Sequence, residues 1–349
     1  MRGPPPHGMI RAMAAALPRR TFIVAGAAAA LASPRRVRAQ ASRFAATADR
    51  ARGLDQLHAI IVAENGSPVL AEAFRGPALD RAVNVKSVSK TIVAALTGAA
   101  IDRGVVPGLD ATLGGLVPEL IPDGADPRVA ELTLSDLVTM QAGLARTSGP
   151  NYGAWVSSRN WVGYALGQPF EAEPGRRMLY STGSFHVLGA ALSRVSGETL
   201  LALARGWLGV PLGIEIPAWT RDPQGFYLGG NEMALSPVAM LAFGEMYRTG
   251  GRGPSGRVLS EGWVESSFVP RTRSPFSGLD YGYGWFLGRR GGRRIALARG
   301  YGGQIVALVP ELGLTIVVTS DTSRPARSEG YFGDLLALIA ETVIPDAEA

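Results

Sequence analysis

Cysteine is absent from this 349-residue sequence, which excludes disulfide bonds, cysteine nucleophiles, iron–sulfur clusters and cysteine-ligated zinc. Histidine is scarce as well. The three histidines, His7, His58 and His186, do not stand at the spacing of a metal clamp. The sequence therefore implies no metal site and no organic cofactor.

Lysine is almost missing too. Lys86 and Lys90 are the only lysines, whereas 33 basic residues are arginine. Because a desolvated lysine can release its proton at ordinary pH and an arginine cannot, a lysine retained in such a chain points to chemistry.

Acidic residues are missing from the first 41 residues, which hold seven arginines. The remaining chain carries 28 basic and 29 acidic residues, so the net charge of +6 belongs to this leader. We therefore expect no nucleic-acid partner for the folded domain.

The leader resembles a twin-arginine signal peptide. Arg19 and Arg20 precede the apolar stretch Phe22–Ala32, which is shorter than the roughly 20 residues of a bilayer crossing. Ala39-Gln40-Ala41 suits a signal peptidase, and basic residues separate the two features. This predicts export to the periplasm, with a disordered basic tail as the alternative. No other run is long enough to span a membrane, so we expect no stable membrane insertion after the signal is removed.

Strand patterns occur near both ends of the chain and helical patterns between them. This order predicts a fold of the α/β class, α+β type: an antiparallel sheet built from about 55–104 and 236–345 with flanking helices, and a mostly helical insertion at about 105–235. Together these form one domain, 42–349, after the leader, 1–41. The predicted strands are Leu57–Ala63, Val69–Phe74, Gly284–Gly288, Arg294–Arg299, Gln304–Val309 and Leu314–Ser320, and the predicted helices are Val88–Ala99, Leu132–Met140, Trp161–Leu166, Phe185–Val195 and Tyr331–Ile344.

Ser87 is the first candidate for chemistry. Lys90 follows it by three residues at the start of a predicted helix, so the amine can reach the hydroxyl on the same helix face. An adjacent amine base and a positive helix end are what activates a serine nucleophile. The alternative is an ordinary serine N-cap.

Two further segments contain candidate residues. Tyr180 precedes small polar residues and a new helix, where its phenol could project into a cleft or be half-buried. His186, inside that helix, is more typical of a packed core histidine. The run Arg299–Gln304 includes three glycines at the head of a strand, which permits close approach to a ligand or forms a tight turn.

In this order, the three segments resemble the serine β-lactamase and penicillin-binding protein superfamily, in its class C-like branch. That branch also includes esterases, D-amino-acid peptidases and 6-aminohexanoate-dimer hydrolases. Further stretches that look like the family are Asn84–Lys90, Leu132–Leu137, Gly230–Pro237 and Tyr281–Trp285.

The resemblance implies roles for several residues. Ser87 would be the nucleophile, Lys90 the neutral amine that accepts its proton, and Tyr180 the proton shuttle to the leaving group. The backbone N–H groups of Ser87 and Gln304 would form the oxyanion hole. The implied substrate-binding positions are Thr182, Tyr301, Gly302 and Gly303.

The sequence departs from the family at two of these positions. Thr182 replaces the usual asparagine, and Tyr301-Gly302-Gly303 replaces a motif that begins with lysine or histidine. Arg299 could supply the missing cation, but strand alternation sets it two positions away. Both changes favour an ester or an uncharged amide over a substrate with a carboxylate.

The resulting prediction is an exported serine hydrolase that cleaves a small ester, amide or peptide-like molecule. The alternatives are a β-lactamase or D-Ala-D-Ala carboxypeptidase, and a catalytically silent member that binds cell-wall peptide or a partner protein. A Ser-His-Asp hydrolase is disfavoured, because no Gly-x-Ser-x-Gly motif occurs and His58 lies in a predicted strand. Five aromatic residues of the insertion either line the substrate pocket or take part in ordinary packing: Tyr152, Trp155, Trp161, Phe226 and Tyr227.

Overall fold

The computed structural model describes residues 43–326 and 330–349, so the predicted signal peptide lies outside the described residues. The predicted antiparallel sheet from both ends of the chain is confirmed, with eight strands in the order β2-β1-β12-β11-β10-β9-β8-β7. Its strands are β1 (Leu57–Glu64), β2 (Ser67–Ala73), β7 (Thr272–Arg273), β8 (Asp280–Tyr281), β9 (Phe286–Arg290), β10 (Arg293–Gly300), β11 (Gln304–Val309) and β12 (Leu314–Ser320). Two small ladders pair β3 (Val83–Asn84) with β4 (Ala234–Leu235), and β5 (Arg252–Gly253) with β6 (Gly256–Arg257).

Helices fill the middle of the chain and cover the sheet. They are α1 (Ala45–Arg52), α2 (Val88–Asp102), α3 (Leu113–Leu116), α4 (Leu134–Val138), α5 (Tyr152–Val156), α6 (Trp161–Leu166), α7 (Thr182–Ser196), α8 (Leu200–Ala204), α9 (Val210–Leu212), α10 (Pro237–Arg248), α11 (Glu261–Ser267), α12 (Tyr331–Leu338) and α13 (Ile344–Glu348). Short 3-10 turns lie at Pro118–Leu120, Pro127–Glu131, Gly149–Asn151 and Pro310–Leu312. The π-helical turns Arg205–Gly209 and Ile339–Val343 join α8 to α9 and α12 to α13.

The β1–β2 hairpin turns at Asn65 and Gly66, whose φ angles are +49° and +84°. Asparagine and glycine tolerate this left-handed backbone best, which is why the pair predicts the hairpin from sequence.

Helix α2 sits at the centre of the molecule. It contacts β10 and β11 on one side and α7 on the other. All but the last two of its residues are buried, which accounts for its nearly uninterrupted apolar sequence. The N-terminal end of α2, where Ser87 lies, is therefore placed between the sheet and the helical middle of the chain.

Helix α7 begins at Thr182, three residues earlier than its apolar pattern predicts. Its first turn contains the small polar residues that the sequence suggests to be a loop, so Tyr180 is separated from the helix by Ser181 alone.

No single helix in 43–326 and 330–349 is long and apolar enough to cross a membrane. The pair α7 and Leu200–Leu212, bent by 87°, meets the length and composition criteria only when combined.

Candidate active site

Ser87 ends a tight turn that leads from β3 into α2. Lys86, just before it, has a left-handed backbone with φ +49°. The Ser87 side chain makes no capping hydrogen bond to α2, which argues against the N-cap alternative. Its backbone N–H has no backbone acceptor within the described chain. Ser87 is thus a partly exposed residue at the start of a helix, and its N–H makes no backbone hydrogen bond among the described residues.

Lys90 lies one helical turn further on and is 1% exposed. Its Nζ is 2.9 Å from the Ser87 Oγ and 3.2 Å from the Thr182 Oγ1, and it donates to the Gly230 carbonyl at 2.6 Å. Burial lowers the pKa of Lys90 to about 7. The lysine is therefore close to the serine and able to be neutral near physiological pH.

Tyr180 completes a cluster of three side chains. Its ring centroid is 5.0 Å from the Lys90 Nζ, and its ring stacks on Phe286. Burial raises the pKa of Tyr180, while its hydrogen bond with Ser87 and the charge of Arg299 oppose that rise. The phenol is thus protonated at neutral pH and adjacent to the serine. Ser87, Lys90 and Tyr180 are brought together as the sequence predicts, although their roles stay a prediction.

Thr182 is almost fully buried and faces Lys90. Its Oγ1 is 2.8 Å from the Ser148 Oγ, which also accepts a hydrogen bond from the Thr182 N–H at 2.8 Å. Ser148 was not identified from the sequence, because it is 34 residues from Thr182 and lies in no motif. A line of hydroxyl groups therefore leads from the amine towards the partly exposed Ser148.

The residues of the glycine-rich segment contact different parts of the fold. Gly300 is the residue that meets the serine turn: a Cβ added there would lie 2.3 Å from the Val85 carbonyl oxygen and 3.1 Å from the Lys86 Cβ. Tyr301, the next residue, is 54% exposed, and its N–H has no backbone acceptor within the described residues.

The next three residues, Gly302, Gly303 and Gln304, contact parts of the fold other than the serine turn. A Cβ added to Gly302 would contact the Asp321 carbonyl, and one added to Gly303 would contact Tyr331. Gln304 is fully buried, and its side-chain amide is bonded to the backbone of Ser320 on β12. Sequence alone could not show which glycine approaches the serine, because any of the three permits close contact.

The backbone around Gly230 is a part of the site whose role the sequence does not reveal. A Cβ at Gly229 would lie 2.2 Å from the Phe185 carbonyl oxygen, and one at Gly230 would lie 2.8 Å from that of Thr182. Only glycine allows this segment to run so close to α7 and to bring the Gly230 carbonyl to Lys90. The paired glycines are the signal in the sequence.

His186 is in the interior, as its position in an apolar helix predicts. It is fully buried, its Nε2 is 2.9 Å from an Asp222 carboxylate oxygen, and its Nδ1 accepts a hydrogen bond from the Gly229 N–H. The rings of Trp155 and Trp161 enclose it. This pair supports the segment that contacts Lys90, and no described serine hydroxyl hydrogen-bonds to the imidazole.

The aromatic residues of the helical region divide into two groups. Trp155, Trp161 and Tyr227 are buried in packing contacts, so the alternative of ordinary packing holds for them. Tyr152 and Phe226 are partly exposed. Within the described residues, no group of three or more histidine or acidic side chains has the arrangement of a metal site.

Comparisons with known proteins identify the family of this chain. The family model described as Beta-lactamase matches residues 44–341. The chain is 30% identical over 224 residues to a 6-aminohexanoate-dimer hydrolase of Paenarthrobacter ureafaciens, an alignment that covers 60% of this chain and 56% of that relative. The chain thus matches little more than half of that relative's length.

Solved structures share the fold at low sequence identity. The hydrolase EstCE1, which has promiscuous acyltransferase activity, matches with a TM-score of 0.70 and 18% identity, over 89% of this chain and 99% of that one. An octameric penicillin-binding protein homologue from Pyrococcus abyssi matches with a TM-score of 0.66 and 17% identity, over 88% and 77%.

Proposed function

Because this chain belongs to the beta-lactamase family of serine hydrolases, we propose that it cleaves an ester or amide bond through an acyl-enzyme on Ser87. The observation that carries this proposal is the 2.9 Å contact between the Ser87 hydroxyl and Lys90, a buried amine whose pKa is lowered to about 7. A serine next to a neutral amine can lose its proton as it attacks a carbonyl.

The hydrogen bonds of Lys90 support its role as the base. A neutral amine has two N–H groups and one lone pair. The Gly230 carbonyl can only accept, so it takes one N–H, and the Thr182 hydroxyl can accept the other. The lone pair is then left for the Ser87 hydroxyl proton.

The reaction follows from these positions. The Ser87 Oγ attacks the carbonyl carbon of the substrate while its proton moves to Lys90. The tetrahedral intermediate collapses, and the leaving group receives a proton through the Tyr180 hydroxyl. Water then attacks the ester formed on Ser87 and releases the acid, which regenerates the serine.

The developing oxyanion would be held by two backbone N–H groups. We assign these to Ser87 and Tyr301, in place of the predicted Gln304. Gly300, directly before Tyr301, packs on the serine turn, whereas Gln304 lies on the next strand with its side chain bonded to Ser320.

The polar residues around the serine favour an ester or an uncharged amide. Thr182 has a hydroxyl group where the family's asparagine has an amide that binds a substrate carbonyl. This hydroxyl is already hydrogen-bonded to Lys90 and Ser148. The 6-aminohexanoate-dimer hydrolase among the relatives supports an amide as one of the substrates to test.

A penicillin-binding or β-lactamase activity is the second candidate, because the positive charge of Arg299 affects Tyr180 in the site. The Arg299 guanidinium stacks on Phe286 and Phe332, and its charge lowers the pKa of Tyr180 against the effect of burial. A substrate carboxylate could interact with that charge.

The intact mass of the protein after brief incubation with a p-nitrophenyl ester, and separately with a penicillin, tests both candidates. We expect a mass increase or turnover with the ester that disappears in Ser87→Ala. An adduct with the penicillin alone would favour the second candidate. A folded wild-type protein that reacts with neither would overturn the nucleophile assignment and support a silent binding protein.

Export through the twin-arginine pathway is a separate part of the proposal and rests on the leader sequence. We expect the precursor to stay in the cytoplasm when Arg19 and Arg20 are both replaced by lysine, since that pathway reads the arginine pair. Immunoblots of periplasmic and cytoplasmic fractions measure this. Normal processing of the double variant would contradict it.

A further inference from the structure

Of the two lysines in the sequence, Lys86 is the one that the proposed mechanism does not use. It precedes Ser87 directly and holds φ at +49°, a conformation that non-glycine residues seldom adopt. Such a conformation persists only where surrounding contacts enforce it.

Lys86 makes an ion pair with Glu232. The Lys86 Nζ is 2.9 Å from the Glu232 Oε1, and both side chains are only about a quarter exposed. The other carboxylate oxygen accepts a hydrogen bond from the Asn84 Nδ2 at 2.5 Å, while the Asn84 Oδ1 accepts one from the Lys86 N–H. Glu232 is itself left-handed, with φ +65°.

The segment that contains Glu232 also holds Lys90. Its Gly230 carbonyl accepts from the Lys90 Nζ at 2.6 Å. The Met233 carbonyl accepts from the Val85 N–H at 2.9 Å, and the Met233 N–H donates to the Ser89 Oγ at 3.2 Å. The segment 230–233 therefore contacts the chain on both sides of Ser87.

We infer that the Lys86–Glu232 pair is a latch that positions Ser87 relative to Lys90. The pair joins the serine turn to the segment that anchors the lysine amine, so it sets the 2.9 Å separation between the Ser87 Oγ and the Lys90 Nζ. Both are positioning residues, since they act on the reaction through the backbone of Ser87 and Gly230. The inference rests on the proposed function of Ser87.

A double-mutant cycle tests the latch. Wild type, Lys86→Met, Glu232→Gln and the double variant are compared for the rate of acylation by a p-nitrophenyl ester in a single turnover. Each single variant is expected to acylate at least about tenfold more slowly with little change in KM, because a small misplacement of a reacting group costs rate rather than binding. The double variant is expected to be no slower than the worse single variant.

Three further variants separate positioning from a general structural role. Lys86→Arg should retain more activity than Lys86→Met. Lys86→Gly removes the backbone strain together with the pair, and should still be slow. Glu311→Gln breaks the Arg294–Glu311 ion pair at the far end of β10, also 2.9 Å long, and should acylate at the wild-type rate. The melting temperature of each variant shows that it is folded, since a partly exposed ion pair contributes little to stability.

Unchanged acylation in the single variants, additive losses in the double variant, or a fast Lys86→Gly would each overturn the latch. These results require a wild-type enzyme that acylates at Ser87. If the wild type is not acylated, the proposed function fails instead, and the two failures are therefore distinct.

Discussion

At the scale of single residues, the proposed mechanism depends on the protonation of Lys90. Burial favours the neutral amine, and the Gly230 carbonyl fixes where that amine points. Arginine in its place would remain charged at every ordinary pH and could not accept the serine proton.

Lys90 therefore predicts the pH dependence of acylation. Because its pKa is lowered to about 7, the reactive neutral form is lost below that pH. The single-turnover acylation rate should rise about tenfold per pH unit below pH 7 and level off above it, as expected for one essential base. Stopped-flow measurements from pH 5 to 9 check this. A flat profile, or a Lys90→Arg variant with wild-type activity, would show that another group accepts the proton.

Substitution of Thr182 is expected to have a smaller effect on activity. Thr182→Val keeps the shape of the side chain but removes the oxygen that contacts Lys90 and Ser148. We expect kcat/KM to fall about two- to tenfold, the value of one neutral hydrogen bond. Thr182→Ser, which retains the hydroxyl, is the matched control and should stay close to wild type. A loss in Thr182→Ser together with wild-type activity in Thr182→Val would mean that the methyl group matters rather than the hydrogen bond.

At the scale of elements, contacts between residues distant in the sequence determine where some helices begin, which local sequence patterns do not predict. The hairpin β1–β2 and the helix α2 were predictable, since a turn signal and an apolar pattern define them. The start of α7 was not: its Thr182 and Gly183 N–H groups are capped by Ser148 and Thr147, from a loop 34–36 residues away. The Ser181 side chain makes no capping hydrogen bond of its own, so these distant partners satisfy the N–H groups of the first turn.

The junction between β10 and the serine turn is another feature that only the fold reveals. Gly300 and Val85 are over 200 residues apart, yet the strand backbone packs directly on the turn. The site residues of α2 could be predicted because Ser87 and Lys90 are neighbours on one helix. The proposed oxyanion partner, Tyr301, could not be predicted, since the proposal depends on this long-range contact.

Gly300→Ala tests that junction. Its new Cβ would lie 2.3 Å from the Val85 carbonyl oxygen, so strand and turn must move apart. We expect acylation at Ser87 to fall at least about tenfold, since a shift on the order of 1 Å misplaces both the nucleophile and the Tyr301 N–H. Gly262→Ala in α11, where a Cβ meets nothing within 4 Å, is the control. Wild-type labelling of Gly300→Ala would exclude β10 from the oxyanion site.

At the scale of the whole molecule, the helical middle and the sheet share one interior. One cluster of buried apolar side chains runs from Phe44 through Leu137 and Leu188 to Ile344, and a second, smaller cluster comprises Trp155, Trp161 and Leu228. The site lies between these parts, with Ser87 just before α2, Gly230 in the segment before β4, and Gly300 in the sheet.

Continuous packing predicts that the sheet and the helical middle unfold together. Four of the six tryptophans, Trp155, Trp161, Trp207 and Trp219, report on the helical middle, whereas loss of Ser87 acylation reports on the catalytic centre. In a thermal ramp of the mature chain, both signals should change at the same temperature as the far-ultraviolet circular dichroism, which is the test of a single cooperative transition. Leu188→Ala should lower all three midpoints equally, because this side chain is fully buried in the larger cluster and its loss leaves a cavity there. If the tryptophan signal changed first while Ser87 remained reactive, the helical middle would be an independent unit, and its hydrogen bonds to Lys90 would be dispensable for catalysis.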